Sequence, residues 1–205
     1  MTNHFLSAIK RPFTNLLRLV VGAILFLLPI LNFFVFGYFA ECARSMYKGN
    51  PDMPKWRWKL FIDGLVVFFI ALIFYVPAGI LYFAVLYYEQ DFWVFTVPIG
   101  ILFALTVYVL PGAIVRYAIE DFAAAFKGIF RTTFNKFYFK AFALSAVWAL
   151  ALLLLMQVFY TILSYSVTQV YTFYLFGALV SGILIFASQV TILTLIAEAY
   201  RKMKY

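Results

Sequence analysis

Apolar runs long enough to cross a bilayer alternate with short polar connections along this chain. Four of the runs cover 61–88, 92–115, 139–165 and 171–199, and each exceeds the ~20 residues that a spanning helix needs. The run at 92–115 carries Pro111-Gly112 near its close. A fifth run, 19–40, carries Pro29 at its centre and Asn32 about one turn later. A mid-helix proline removes a hydrogen bond and clashes with the preceding turn, and asparagine competes for the backbone groups this frees. Two half-helices of about ten residues each reach ~15 Å, half the hydrocarbon thickness. The segment therefore predicts either a kinked fifth span or a re-entrant hairpin with Pro29 and Asn32 at its tip.

Two further stretches have helical spacing without enough apolar length to span. Phe5, Ile9, Phe13 and Leu16 share one face of 1–18, opposite Lys10, Arg11, Asn15 and Arg18. This predicts an interfacial helix bent at Pro12, or simply the lead-in to the first apolar run. In 119–137, Phe122, Phe126, Ile129, Phe130, Thr133, Phe134 and Phe137 oppose Lys127, Arg131, Asn135 and Lys136. That pattern predicts a second helix lying in the headgroup plane, with Lys127 and Arg131 as anchors. The stretch 41–60 is read as a basic loop, broken by Gly49, Pro51 and Pro54, with Trp56 and Trp58 as interfacial anchors. The predicted fold class is all-α: a polytopic integral membrane protein forming a single membrane domain over 1–205. It has four transmembrane helices, an N-terminal re-entrant or fifth spanning segment, and interfacial amphipathic helices.

Composition supports this class. Of the residues, 66% are hydrophobic, 22% aromatic and 12% charged, against about a quarter charged in soluble domains. The net charge of +8 could suggest nucleic acid, but the bases flank apolar segments, where anionic headgroups attract them. Membrane lipids are the expected partners, and nucleic acid is not. One cysteine, Cys42, and one histidine, His4, leave no internal disulfide, metal cage or cofactor ligand set. The sixteen Lys and Arg residues form four clusters: Lys10 to Arg18, Arg44 to Lys59, Arg116 to Lys140, and Arg201 to Lys204. Simple alternation puts the last three on one face, which the positive-inside rule makes cytoplasmic, with the C-terminus. Exporting the first cluster would oppose that rule, which favours the hairpin.

Candidate chemistry is sparse. No charged residue lies between Asp63 and Glu89, between Asp91 and Arg116, or between Lys140 and Glu198. A proton relay or a path for a strongly charged solute would need one. Asn32, Gln157 and Gln189 are the candidate polar intramembrane residues. Asp63 reads as an acid complementing a helix N-terminus, or alternatively as partner to a base from 41–60 or 119–137. Glu41 with Arg44 and Glu198 with Lys202 have pairing distance along a helix. On the last span, Gly177-x-x-x-Ser181 and Ala178-x-x-x-Gly182 allow close approach, and Ser188 adds a hydroxyl. Gly177, Ser181, Gly182 and Ser188 are thus expected to pack this span on the preceding one. No catalytic constellation is present in the sequence, and an enzyme is not expected.

Short motifs also carry a resemblance. They are Gly22, Pro29-x-x-Asn32, Gly37-Tyr38, Gly49, Pro54-x-Trp56, Asp63-Gly64, Pro111, Arg116-Tyr117 and Ala125-Phe126. In these the chain resembles the uncharacterised prokaryotic membrane family called domain of unknown function 4013, over about 15–200. It departs from that pattern in Lys-Trp-Arg-Trp-Lys, where more acidic character is expected. The resemblance implies an archaeal or bacterial cytoplasmic membrane protein and supplies no activity. The expected function is a non-enzymatic membrane scaffold or accessory subunit, as a homo-oligomer or in a larger complex. The alternatives are a permease or channel for a neutral or lipid-like solute, and a membrane-shaping hairpin protein.

Overall fold

A computed structural model describes residues 2–87, 92–166 and 170–204. The two connections expected to be short, around 88–91 and 166–169, lie almost wholly outside the described residues. The described chain is all-helical. It comprises α1 (Thr2–Lys10), a 3-10 turn (Arg11–Thr14), α2 (Leu16–Leu27), α3 (Asn32–Tyr47), α4 (Lys59–Tyr87) and α5 (Phe92–Ile119). A 3-10 turn (Ala123–Ala125), α6 (Ile129–Thr133), α7 (Lys136–Ser166) and α8 (Val170–Lys204) complete it. Four helices, α4, α5, α7 and α8, are long and apolar enough to cross a membrane.

The break in the first apolar run has a backbone cause. Leu28 is extended, at φ −101° and ψ 114°, the conformation that a following proline imposes on its predecessor. That residue ends α2, and the amide of Asn32 donating to the Leu28 carbonyl at 2.8 Å starts the chain back into α3. At the other end Asn15 caps α2 by accepting from the Arg18 amide at 3.0 Å. The chain thus doubles back: Arg18, at the start of α2, donates to the carbonyl of Met53, just beyond α3.

Glycines let this hairpin seat on its neighbours. A Cβ on Gly37 of α3 would lie 1.8 Å from the Leu60 carbonyl oxygen of α4, and one on Gly64 would lie 1.7 Å from that of Phe33. The two helices therefore cross backbone to backbone, and no side-chain rotation could relieve an added methyl. Gly22 of α2 faces the ring of Phe186, which is fully buried between Tyr38 and Phe39. Gly182 of α8 faces the backbone of Ala23, whose oxygen would be 3.2 Å from an added Cβ. Lipid tails are as apolar as leucine, so close packing of this kind takes over the role that water exclusion plays in soluble cores.

Two expectations need correction. The segment 119–137 is not one amphipathic helix. It is a 3-10 turn and the five-residue α6, separated by Gly128 at φ +72°. Arg116 pulls it inward: Nε donates to the Ala124 carbonyl at 2.7 Å and Nη1 to the Thr132 hydroxyl at 2.7 Å. Phenylalanines three and four apart also fit successive tight turns, so the spacing alone misled. The span expected over 92–115 is α5, which runs through Pro111 to Ile119. Tyr138 packs on Gly112 and donates its hydroxyl to the Tyr108 carbonyl, covering the helix where proline interrupts its ladder. The second correction is that residues 41–47 belong to α3 rather than to a loop.

Candidate functional site

The basic clusters meet at one end of the bundle, where three arginines organise the connections. Arg11 follows α1 and precedes Pro12, which bends the chain there into a 3-10 turn. Its side chain is buried, with 3% exposed. Nη1 donates to the Cys42 carbonyl at 3.0 Å and to the Thr194 hydroxyl at 2.8 Å; Nη2 donates to the Asp52 carbonyl at 3.0 Å and the Asn50 carbonyl at 3.5 Å. A buried guanidinium is costly unless its donors are satisfied. Here neutral acceptors from α3, the loop after it and α8 take up the two Nη groups, while Nε is buried without a partner, and one side chain ties the N-terminus to all three.

Arg44 works between α3, α4 and α5. It pairs with Glu41, lies 3.3 Å from Asp63, and donates through Nε to the Ala118 carbonyl at 2.7 Å. The other oxygen of Asp63 accepts from the Tyr117 hydroxyl at 3.2 Å. Of the two readings of Asp63, partnership with a base from 41–60 is the one realised. Both helical pairs expected from spacing also form, Glu41 with Arg44 and Glu198 with Lys202 at 2.9 Å.

Arg116 is a third hub, one that local spacing does not announce. Besides its bonds to Ala124 and Thr132, Nη2 lies 3.4 Å from Glu120. Glu120 also accepts from the Tyr200 hydroxyl at 2.6 Å and pairs with Lys204 at 2.6 Å. Partial burial would raise the Glu120 pKa, but the Lys204 and Tyr200 hydrogen bonds and the Arg116 charge outweigh it. The carboxyl is held below its ordinary range. These contacts join residues 80 positions apart, beyond the reach of any local spacing.

Two cavities flank this network. One is a polar cleft of about 570 Å³ at the basic end, lined by Arg18, Lys48, Lys55, Arg57 and Lys59, among others. The other is apolar, about 300 Å³, and lies among Phe26, Phe36, Phe68, Tyr75 and Leu110 with the amide of Gln189. Of the three intramembrane amides, Gln189 alone lines a described cavity. Asn32 starts α3 with its Oδ1 buried and unpartnered, and Gln157 is exposed on α7.

The small residues of α8 divide between neighbours. Ser181 meets Tyr160 of α7 at 2.7 Å, and the Gly177 carbonyl lies 3.4 Å from the same hydroxyl. Gly182 instead faces α2, and Ser188 is buried. Trp56 stacks on Tyr38 at 4.2 Å, whereas Trp58 is 83% exposed. Lys127 and Arg131 are exposed on the broken segment. Among the described residues no His, Cys, Asp or Glu group is placed to hold a metal ion.

A family model described as "Protein of unknown function (DUF4013)" matches residues 21–159. The chain belongs to this family. No curated protein matches it, and no solved structure does. The DUF4013 region contains the Gly37–Gly64 crossing, the Arg44–Asp63 pair and Arg116. Arg11 and all of α8 lie outside it, although they complete the same network.

Proposed function

We propose that this DUF4013 protein is a non-enzymatic scaffold or accessory subunit of an assembly in an archaeal or bacterial cytoplasmic membrane. Its α2–α3 hairpin is re-entrant and its basic end, with the C-terminus, is cytoplasmic. The observation that carries this reading is the attachment of Arg11 and Arg18 to the 50–53 turn. With it the first basic cluster joins the other three, and all sixteen bases obey the positive-inside rule. The rigid end then faces the cytoplasm. The apolar helices extend away from it with much of their surface uncovered, and α7 packs mainly on α8. Exposed apolar helix faces of this kind accept further transmembrane helices through close packing.

Reconstitution into lipid nanodiscs of several sizes, followed by mass measurement, tests the proposal. A homo-oligomer, or a stoichiometric complex recovered after in-membrane crosslinking, is expected. A monomer that acquires no crosslinked partner in its native membrane would count decisively against a scaffold.

The apolar cavity at Gln189 favours one second reading, a path for a neutral or lipid-like solute. Uptake into proteoliposomes that is lost with Gln189→Leu would support it, and uptake indifferent to that change would dismiss it.

A further inference from the structure

We propose that the polar cleft at the basic end is a binding site for the phosphate group of an anionic phospholipid headgroup. The inference deepens the topology above, resting on the basic end lying at the membrane surface, but it does not depend on the scaffold role.

Six bases line the cleft: Arg18, Arg44, Lys48, Lys55, Arg57 and Lys59. They face three carboxylates, Glu41, Asp52 and Asp63. Glu41 and Asp63 are already engaged by Arg44, so they do little for the remaining bases. Among the described residues Lys48, Lys55, Arg57 and Lys59 form no ion pair or side-chain hydrogen bond. These four bases outnumber Asp52, the one acid of the cleft that Arg44 does not engage, and a concave wall with such an excess of one charge focuses the field and concentrates counter-ions.

A solvated basic loop would show the same composition, so the decisive feature is that this loop is fixed. Arg11 holds the carbonyls of Asn50 and Asp52, and Arg18 holds that of Met53. Trp56 is stacked on the buried ring of Tyr38. Lys55 and Arg57 flank that anchored tryptophan, and Lys59 opens α4 two residues later. The backbone holding these like charges around one space is thus ordered before any anion arrives, which lowers the entropic cost of binding. A phosphate oxygen set suits them, since arginine can grip it with two parallel N–H bonds and lysine as a point charge.

The surroundings select a lipid as the source of that phosphate. Trp58, two residues from Trp56, projects 83% exposed beside the cleft's Arg57 and Lys59. Tryptophan at this position marks the level of the headgroups. Met53, Pro54 and Leu60 add apolar wall to the same cleft, which a glycerol backbone can contact and a free phosphate ion cannot use.

The test compares the unaltered chain with the triple variant Lys55→Gln, Arg57→Gln, Lys59→Gln. A charge-matched control is Lys10→Gln, Lys136→Gln, Lys140→Gln, whose residues are exposed and lie outside the cleft. All three are confirmed as helical by circular dichroism and titrated in neutral detergent micelles with phosphatidylglycerol, read by native mass spectrometry. Loss of about tenfold or more in lipid affinity is expected for the cleft variant, from on the order of a few-fold per base, with the control nearly unchanged. Equal losses in both variants, or none in either, would overturn the site. A parallel titration with inorganic phosphate distinguishes the source. Failure of phosphate to displace the lipid at equal concentration supports the headgroup, whereas displacement would overturn the lipid assignment. Either result leaves the oligomer measurement unaffected, so this site and the scaffold reading can fail separately.

Discussion

Helices α7 and α8 are consecutive, similar in length and nearly equal in hydropathy, yet they occupy opposite environments. In the most apolar stretch of α8, 61% of residues are buried; in that of α7 only 11% are. Hydropathy does not separate them, because both lipid and a protein interior accept apolar side chains. Side-chain size and hydroxyl placement do. α8 presents Gly182, Thr191 and Thr194 to α2, α1 and the Arg11 turn, whereas α7 turns Leu153, Leu154 and Leu155 outward. A membrane helix becomes central through what lets neighbours approach it, rather than through its apolarity.

The comparison can be broken at several points. The largest effect is expected from Arg11→Ala, which leaves the Cys42 and Asp52 carbonyls and the Thr194 hydroxyl without their shared donor. Hydrogen bonds to charged groups contribute about 1.5–3 kcal/mol each before relaxation, so a loss of about 3 kcal/mol should appear as a lowered midpoint in detergent unfolding. A midpoint like that of the unaltered chain would mean α8 is not held by this residue. Next comes Gly182→Leu, whose side chain must enter the backbone of α2. Overpacking of this kind costs about 1–3 kcal/mol. Leu154→Ala on α7, 60% exposed, should shift the same midpoint by under about 0.5 kcal/mol. Comparable losses for Gly182→Leu and Leu154→Ala would erase the distinction between the helices.

The smallest effect concerns pH. Because the folded Glu120 pKa is lowered, its contribution is fully present above the ordinary glutamate value of about 4.3. It is lost as pH falls through the lower folded value. Amide hydrogen exchange at residues 200–204 should therefore be steady from neutrality to about pH 5 and, after correction for the intrinsic rate, rise on further acidification. In Glu120→Gln that rise should be absent.

Much of the architecture was legible in the sequence for physical reasons. A run of more than twenty apolar residues has few options besides a helix, so α4, α5, α7 and α8 follow almost directly from their length. Pro29 announced a break because its missing N–H and its effect on Leu28 are local. The apolar spacing of 119–137 misleads because the force shaping the segment is not local: Arg116 reaches from α5 to residues 124, 128 and 132. The same holds for Arg11, whose acceptor Thr194 lies 183 residues away. Asp63 falls between these cases, since its position one turn inside α4 fits either a helix dipole or a basic partner. Only the crossing of α3 and α4 at Gly37 and Gly64 could bring Arg44 to it.

The central claim is that the N-terminal cluster shares a face with the other three, so that α2 and α3 enter and leave from one side. Single cysteines at Lys10 and Lys127, both exposed, test it directly by reaction with a membrane-impermeant maleimide in sealed vesicles of known orientation. Cys42 is fully buried and serves as the silent background. Lys10→Cys and Lys127→Cys should both react only in inside-out vesicles. Labelling of Lys10→Cys in right-side-out vesicles, with Lys127→Cys labelled in inside-out ones, would contradict the hairpin.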